Sequence, residues 1–249
     1  MNRFFVSKKD IENDIVTIKS DDVKHIKNVL RLKKSDEISV CDNTDNEYIV
    51  KIINITNEEV KGNIIKEINI KRESNINITL YQGFPKSSKM DMIIQKATEL
   101  GVKKIVPVIT DRTIVKIKDQ KKENKKIDRF KKIAIEASKQ SKRGIIPEVT
   151  SIMSIDEVIE EIDKNSSFTI VPYEDENKLG IKSFICEVEN KNINIIIGPE
   201  GGFTEREISK LKNIDSRIVS LGPRILRTET AGLTTIAIIM YELGDIGVV

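Results

Sequence analysis

The stretch NIIIGPEGGFTEREI, residues 194–208, joins a β-branched apolar run to a glycine-rich turn and then to a helix start. Residues 194–197 are too few for a helix and nearly all isoleucine, which reads as a buried strand. Thr204 and Glu207 have the T-x-x-E spacing of a capping box, so a helix begins directly after GPEGGF. Strand, turn and capped helix in this order form the usual ligand loop of an α/β sheet, whose ligands sit beyond the carboxyl ends of the strands. Taken alone, the loop is better read as a tight structural turn whose glycines merely permit positive φ.

The same residues restrict what such a loop can hold. Neither G-x-x-x-x-G-K-[ST] nor G-x-G-x-x-G is present. Glu200 stands inside the turn, where a carboxylate repels a pyrophosphate at close range. The expected ligand is cationic, or one whose hydroxyls and ring nitrogens meet backbone groups.

A second irregular stretch follows the next strand. SRIVSLGPRILRTETAGLTTIAIIMYEL, residues 216–243, reads as a strand, a Gly222-Pro223 turn, a loop with two arginines and an apolar helix capped around Thr228. Gly222-Pro223 repeats Gly198-Pro199, so two consecutive strand ends carry the same rigid turn and are expected to wall one pocket. Arg224, Arg227, Thr228, Glu229 and Thr230 concentrate polar chemistry there. A salt bridge and cap at the helix start is the bland account of Arg227 and Glu229.

Working outward, residues 76–83, 104–109, 168–173 and 193–197 read as strands, alternating with helices over 87–101, 125–140 and 154–162. Gly101 closes the first of these helices. Ile127, Phe130, Ile133, Ala134 and Ala137 form the inner side of the second. This alternation predicts an α/β domain with a mainly parallel, buried sheet. Residues 1–72 differ: 37–42, 47–55 and 64–70 read as short strands. One helix is expected in SDDVKHIKNVLRLKK, capped by Ser20 or Asp21, with Val23, Ile26, Val29 and Leu30 inside and Lys24, Lys27, Arg31 and Lys34 on the polar side. The charged cluster at 69–75 marks a boundary, dividing the chain into 1–72 and 73–249.

The 249 residues suffice for one large domain or two smaller ones, and 39% apolar with 33% charged residues excludes a disordered chain. The net charge of +3 hides a segregation. Residues 73–150 carry 18 Lys+Arg against 9 Asp+Glu, whereas residues 151–249 carry 10 against 17. A basic block suggests a polyanionic partner, while a solvated lysine-rich helix explains it as well. Cys41, Cys186 and the single His25 make neither an ordinary zinc site nor a disulfide framework. No metal is expected, and a reducing, cytoplasmic location fits. The N-terminus lacks a signal-peptide core, and no apolar run approaches the ~20 residues that span a bilayer, so no membrane partner is expected.

IGPEGGFTEREI followed by LGPRILRTETAGL resembles the SPOUT methyltransferases, specifically the bacterial enzymes that methylate N3 of one uridine in 16S ribosomal RNA. The likeness covers the whole chain. MNRFFV and HIKNVLRLKKSDEI resemble that family's small N-terminal PUA-like β-barrel, which binds RNA, and KMDMIIQKATELGVKKIVPV and EASKQSKRGIIPEV resemble its middle segments. The two C-terminal motifs in order, with QKATELG upstream, are very specific, and no residue departs from them.

The resemblance implies a SPOUT fold with a C-terminal deep trefoil knot, an exception to the rule that chains do not thread loops. It implies bound S-adenosylmethionine, released as S-adenosylhomocysteine, and a homodimer whose active sites use both subunits. Cofactor contacts would come from Ile197, Gly198, Pro199, Glu200 and Gly201 on one wall and Ser220, Leu221, Gly222 and Leu226 on the other. Uracil N3 is a poor nucleophile until its proton leaves, so a base or a cation that stabilises the uracil anion is needed. Glu229 is the expected base, and Arg227 or Arg224 the cation.

The RNA partner, 16S ribosomal RNA or the small ribosomal subunit, is expected to meet Arg3, His25, Arg31 and Lys33 on the small domain and Lys86, Lys89 and Arg112 near the early strand ends. The lysine-rich segment 116–132 adds non-specific attraction. Gln95, Lys96 and Glu99 share one helix face and support the pocket or a dimer seam. Two other functions compete: a SPOUT enzyme acting on ribose 2′-OH or guanine N1 of transfer RNA, and a non-catalytic RNA-binding assembly factor. A dinucleotide-binding oxidoreductase has the wrong glycine spacing.

Overall fold

Runs of isoleucine and valine build the larger of two compact units, Ser74–Ala137 with Pro147–Val249; the other is Met1–Glu73 with Ser138–Ile146. The computed structural model describes every residue except 70, 71, 87, 115–118, 166, 186, 187, 189, 190 and 249. Cys186 and part of the lysine-rich segment 116–132 therefore lie outside the described residues.

In the N-terminal unit, β1 (Arg3–Phe5), β2 (Ile11–Glu12), β3 (Ile15–Lys19), β4 (Glu37–Cys41), β5 (Glu47–Ile55) and β6 (Glu59–Ile68) form one sheet in the order β1-β4-β5-β6-β3-β2. All its described pairings are antiparallel except β1 with β4. Register shifts between Ile49 and Val50 and between Ile52 and Asn54 bend β5 against β6. Alternation places Val16 and Ile18, Ile38 and Val40, and Val50 and Ile52 in one core with Phe4, Val23 and Ile26. The third expected strand, 64–70, begins earlier, at Glu59, because Val60 pairs with Ile18 and with Ile55.

The helix expected from Ser20 is shorter and differently wound. α1 (Asp21–Lys24) passes into a π-helical turn, His25–Val29, and Ser20 makes no side-chain cap bond. Val23 and Ile26 are buried as expected, but the wider π turn rotates Val29 outwards to 66% exposure. Arg31 follows at φ 53°, so it and Lys34 do not lie on a helix.

The segment Ser138–Ile146 joins this unit through a buried ion pair. Glu73 accepts from Arg143 Nε at 3.1 Å and Nη2 at 2.7 Å, and also from the amides of Gly144 and Ile145. Two charges buried together are tolerated only with this degree of hydrogen bonding. No periodicity in the sequence predicts the contact.

The second unit is a parallel sheet of β7 (Asn77–Gly83), β8 (Lys104–Ile109), β9 (Glu148–Val149), β10 (Met153–Ser154), β11 (Phe168–Pro172), β12 (Asn192–Ile197) and β13 (Arg217–Val219). Its order is β10-β8-β7-β12-β11-β13, with β9 on β8. Every described pairing is parallel. Parallel strands covered on both faces favour apolar residues at nearly every position, which explains the INIII run; its one polar residue, Asn194, is buried with its amide donating to Ser167 and Thr169. Ile193, Ile195, Ile196 and Ile197 are all buried, each contributing roughly 1.5–3 kcal/mol.

Tyr81, Val106, Val108, Val171 and Ile196 pack on one face with Val158 and Ile162 of α4 (Ile155–Asp163) and Ile208 and Leu211 of α6 (Glu205–Asn213). α2 (Lys89–Glu99) and α7 (Thr228–Glu242) pack together, and α7 lies against β7 and β12. Gly101 ends α2 at φ 92°, as expected. α3 (Gln120–Gln140) begins before the expected residue 125, and Ile127, Phe130, Ala134 and Ala137 are buried. The short α5 (Lys182–Ile185) completes the described α-helices. Among the described residues no helix is long and apolar enough to cross a membrane.

Candidate active site

β11, β12 and β13 are neighbours in the sheet and parallel, so their carboxyl ends open on the same side. The loops that leave them enclose a cavity of about 430 Å³, within the usual range for a small-molecule site. Ile197, Gly198, Pro199 and Glu200 line it from the first glycine loop, and Ser220, Leu221, Gly222, Pro223, Arg224, Ile225, Leu226 and Arg227 from the second. The two expected walls therefore meet across one pocket. A third wall, Pro172, Tyr173, Glu174 and Asn177, comes from the loop after β11. Only the strand order, which seats β11 between β12 and β13, brings it there. Burial, with Asp175 beside it, pushes the Tyr173 hydroxyl up to about 12.

Gly201 is the exception among the expected cofactor contacts, since it does not line the cavity. It faces Arg112 instead: its carbonyl accepts from Arg112 Nη1 at 2.9 Å, and a Cβ there would stand 3.0 Å from the Cβ of Arg112. Gly202, at φ 65°, takes its place in the lining. The capping box forms as predicted, with the Thr204 side chain accepting from the Glu207 amide and Glu207 Oε2 accepting from the Thr204 amide at 2.8 Å. Glu207 Oε1 also accepts from the amide of Asp111, and Thr204 Oγ1 donates to Asp111 Oδ2. The turn after β8 thus braces the glycine loop at three points.

A second brace carries charge. Lys89, at the start of α2, reaches Glu200 Oε1 and Glu229 Oε2, each at 3.1 Å. Both oxygens of Glu200 also accept from the Lys86 amide, at 3.1 and 3.2 Å. Hydrogen bonds to Glu200 and then Glu229 raise Lys89 above its ordinary 10.5. Burial alone raises the Glu200 carboxyl, but bonds from its own amide, from Lys89 and from the Lys86 amide outweigh it and hold the group below 4.5.

A carboxyl whose folded value is depressed contributes stability that is fully present above its unfolded value and lost as pH falls through the folded one. The Glu200 brace should therefore survive to below pH 4.5. The Lys86 amide proton shift in an NMR pH titration reports it directly. A midpoint at or above 4.5, or the same titration in Glu200→Gln, would contradict the assignment.

The arginines differ from these braced groups. Arg224 and Arg227 are exposed at the cavity, and no hydrogen bond or ion pair involves their side chains among the described residues. Glu229 is not a lining residue; its side chain is 12% exposed and sits across Lys89 from Glu200. Thr228 is the first residue of α7 rather than its cap, which is Arg227.

The residues expected to meet RNA divide in the same way. Lys89 and Arg112 are tied to the glycine loop by their side chains, whereas Lys86 is tied by its backbone amide and its side chain is exposed. Arg3 is not a surface cation: its side chain is 7% exposed and pairs with Glu47 at 3.2 Å. Burial alone raises the Glu47 carboxyl, but Ser39, Arg72 and Arg3 hold it below its ordinary value. His25, Arg31 and Lys33 are exposed, with the His25 ring edge-on to Phe4. Lys96 and Glu99 pair with each other at 2.9 Å on the surface of α2. No group of three or more His, Cys, Asp or Glu able to hold a metal occurs among the described residues.

A parallel sheet with a cavity walled by three loops past its carboxyl ends, and a separate small β unit in the same chain, define a class. The family model of an RNA methyltransferase domain matches residues 72–240, and that of an RNA methyltransferase PUA domain matches residues 18–65. The chain belongs to the ribosomal RNA small subunit methyltransferase E family. It is 36% identical to that protein of Bacillus subtilis over 97% of each chain, and 34% identical to that of Aquifex aeolicus over 91% of this chain and 94% of the relative. A solved structure of the Neisseria gonorrhoeae enzyme of this name, bound to S-adenosylmethionine, is 30% identical and superimposes with a TM-score of 0.84 over 98% of this chain and 99% of that one.

Proposed function

We propose that this protein transfers a methyl group from S-adenosylmethionine to N3 of one uridine in 16S ribosomal RNA of the small subunit, acting in the cytoplasm. The observation that carries the proposal is the cavity itself. It is nucleoside-sized, has the turn residues Gly198, Pro199, Ser220, Leu221 and Gly222 in its walls, and carries Glu174 and Glu200 in its lining. Glycine and proline turns let backbone groups approach an adenosine closely. Carboxylates there favour a sulfonium and disfavour phosphate, so the residues fit this cofactor. S-adenosylmethionine, when bound, supplies an electrophilic methyl carbon.

The chain's own residues supply positioning and charge. Arg227, with Arg224 beside it, stabilises negative charge on O2 or O4 of the uracil as the N3 proton leaves. Glu229 accepts that proton, held in place by Lys89. His25, Arg31 and Lys33 on the N-terminal unit and the exposed lysines of α3 contact RNA phosphates. Residues 1–72 and 73–249 act as RNA-binding and methyltransferase domains. The C-terminal segment is knotted and the protein works as a homodimer. The return of the chain from β13, at one edge of the sheet, to pack α7 on β12 and β7 supports the knot.

The test is transfer of tritium from methyl-labelled S-adenosylmethionine to small subunits, or to naked 16S RNA, from a strain without this modification, followed by nucleoside analysis. Label in 3-methyluridine is expected. Label in a ribose-methylated nucleoside or in 1-methylguanosine would reassign the reaction, and cofactor binding without transfer to any RNA would favour an assembly factor.

A further inference from the structure

Behind the cavity a fully buried side chain links two of its walls. Gln82, next to last in β7, donates from Nε2 to Thr228 Oγ1 at 2.9 Å and to the carbonyl of Gly83 at 3.1 Å. Thr228 Oγ1 in turn donates to the carbonyl of Gly198. A hydroxyl has one proton, and Thr228 spends it on Gly198, so towards Gln82 it can only accept. That fixes the amide: the NH2 end faces Thr228, and Oε1 faces away. Oε1 has no hydrogen-bond partner. It points at Gly232 of α7, where a Cβ would come within 3.2 Å.

An interior acceptor without a partner is normally eliminated, because an apolar side chain of the same shape would remove the cost. Here the amide keeps an unpaired oxygen in order to place two donors. Its Nε2 reaches the three chain segments that make the site: the end of β7, the first turn of α7, and through Thr228 the head of the first glycine loop. Gly198 and Thr228 line the cavity, whereas Gln82 does not.

We propose that Gln82 is a positioning residue for the cofactor pocket, orienting the Gly198 carbonyl through the Thr228 hydroxyl and so holding the two walls in register. The role rests on the proposed cofactor but is measurable without it. Gln82→Leu, with a slightly smaller apolar side chain, and the isosteric Thr228→Val each break the relay, and Thr228→Ser retains the hydroxyl. In hydrogen exchange of the ligand-free protein, the first two variants should speed exchange at residues 198–202 and 228–231 about tenfold, with the melting temperature of Gln82→Leu unchanged or raised.

Affinity for S-adenosylmethionine should fall about tenfold in both, Thr228→Ser should stay near wild type, and the double variant should lose no more than either single one. Unchanged exchange in Gln82→Leu overturns the proposal. So does a fall in its melting temperature that accounts for the faster exchange, since Gln82 would then be only a core residue. A wild-type protein that takes up no S-adenosylmethionine refutes the proposed function instead, and leaves the exchange result to decide the relay.

Discussion

Arg227→Ala should lower the rate of methyl transfer about 10²–10³-fold, the usual loss when one preorganised donor to a developing anion is removed, with affinity for S-adenosylmethionine changed no more than about threefold. The difference between the two readouts follows from where the residue stands. Its guanidinium is exposed at the cavity and bonded to no described side chain, so removing it leaves no buried partner stranded. As the N-cap of α7 it also stands at the positive end of that helix, whose dipole adds to the same field. Arg227→Lys should recover part of the loss, since charge is retained but the planar donor fork is not.

Single-turnover kinetics with saturating RNA separates transfer from RNA binding. Glu229→Gln in the same assay distinguishes the roles: a proton acceptor lost should cost about 10²–10⁴-fold. An unchanged rate in Arg227→Ala would move the role to Arg224, and in Glu229→Gln it would leave that carboxylate only its pairing with Lys89.

Gly83→Ala should abolish cofactor binding, or weaken it more than about 100-fold, and lower stability by about 1–3 kcal/mol, the usual range for an overpacked core. A Cβ on Gly83 would stand 2.5 Å from the nitrogen of Pro199 and 2.7 Å from both the Gly198 carbonyl carbon and Pro199 Cδ. None of these atoms can rotate out of the way as a side chain would. β7 cannot retreat either, because it pairs with β8 on one side and β12 on the other. The GPEGG turn must therefore lift off its strand, and with it go Gly198 and Glu200.

Gly180→Ala is the control, since nothing lies within 4 Å of a Cβ there. Calorimetric titration with S-adenosylmethionine, beside thermal melts of both variants, gives the answer. Wild-type affinity in Gly83→Ala would mean that the loop accommodates a methyl group and that close packing on β7 is not what holds it.

Much of this architecture was legible in the amino-acid order, because the forces concerned act over a few residues. The Thr204–Glu207 capping box, the stop of α2 at Gly101, the β-branched strands and the apolar face of α3 each depend on bonds or periodicities within a turn or two. The repeated Gly-Pro turns likewise marked the two loops that do wall the cavity. Within such a span an added bend misleads: the π turn at His25–Val29 breaks the helical phase, and Val29 faces solvent instead of the core.

What only the tertiary structure decided are contacts between residues far apart in the chain, which follow from strand order and cannot be read from spacing. The Tyr173 loop became a third wall because β11 lies between β12 and β13. Lys89 and Arg112 are cations of a kind that suits RNA, yet the sheet places them against Glu200 and Gly201, and an ion pair or hydrogen bond there ties their side chains to the loop, whereas Lys86 gives it only a backbone amide. Arg3 met Glu47 across a sheet, and Glu73 met Arg143 some 70 residues on. A charge in the sequence indicates that a partner is needed, and the fold decides whether that partner is RNA or another part of the same chain.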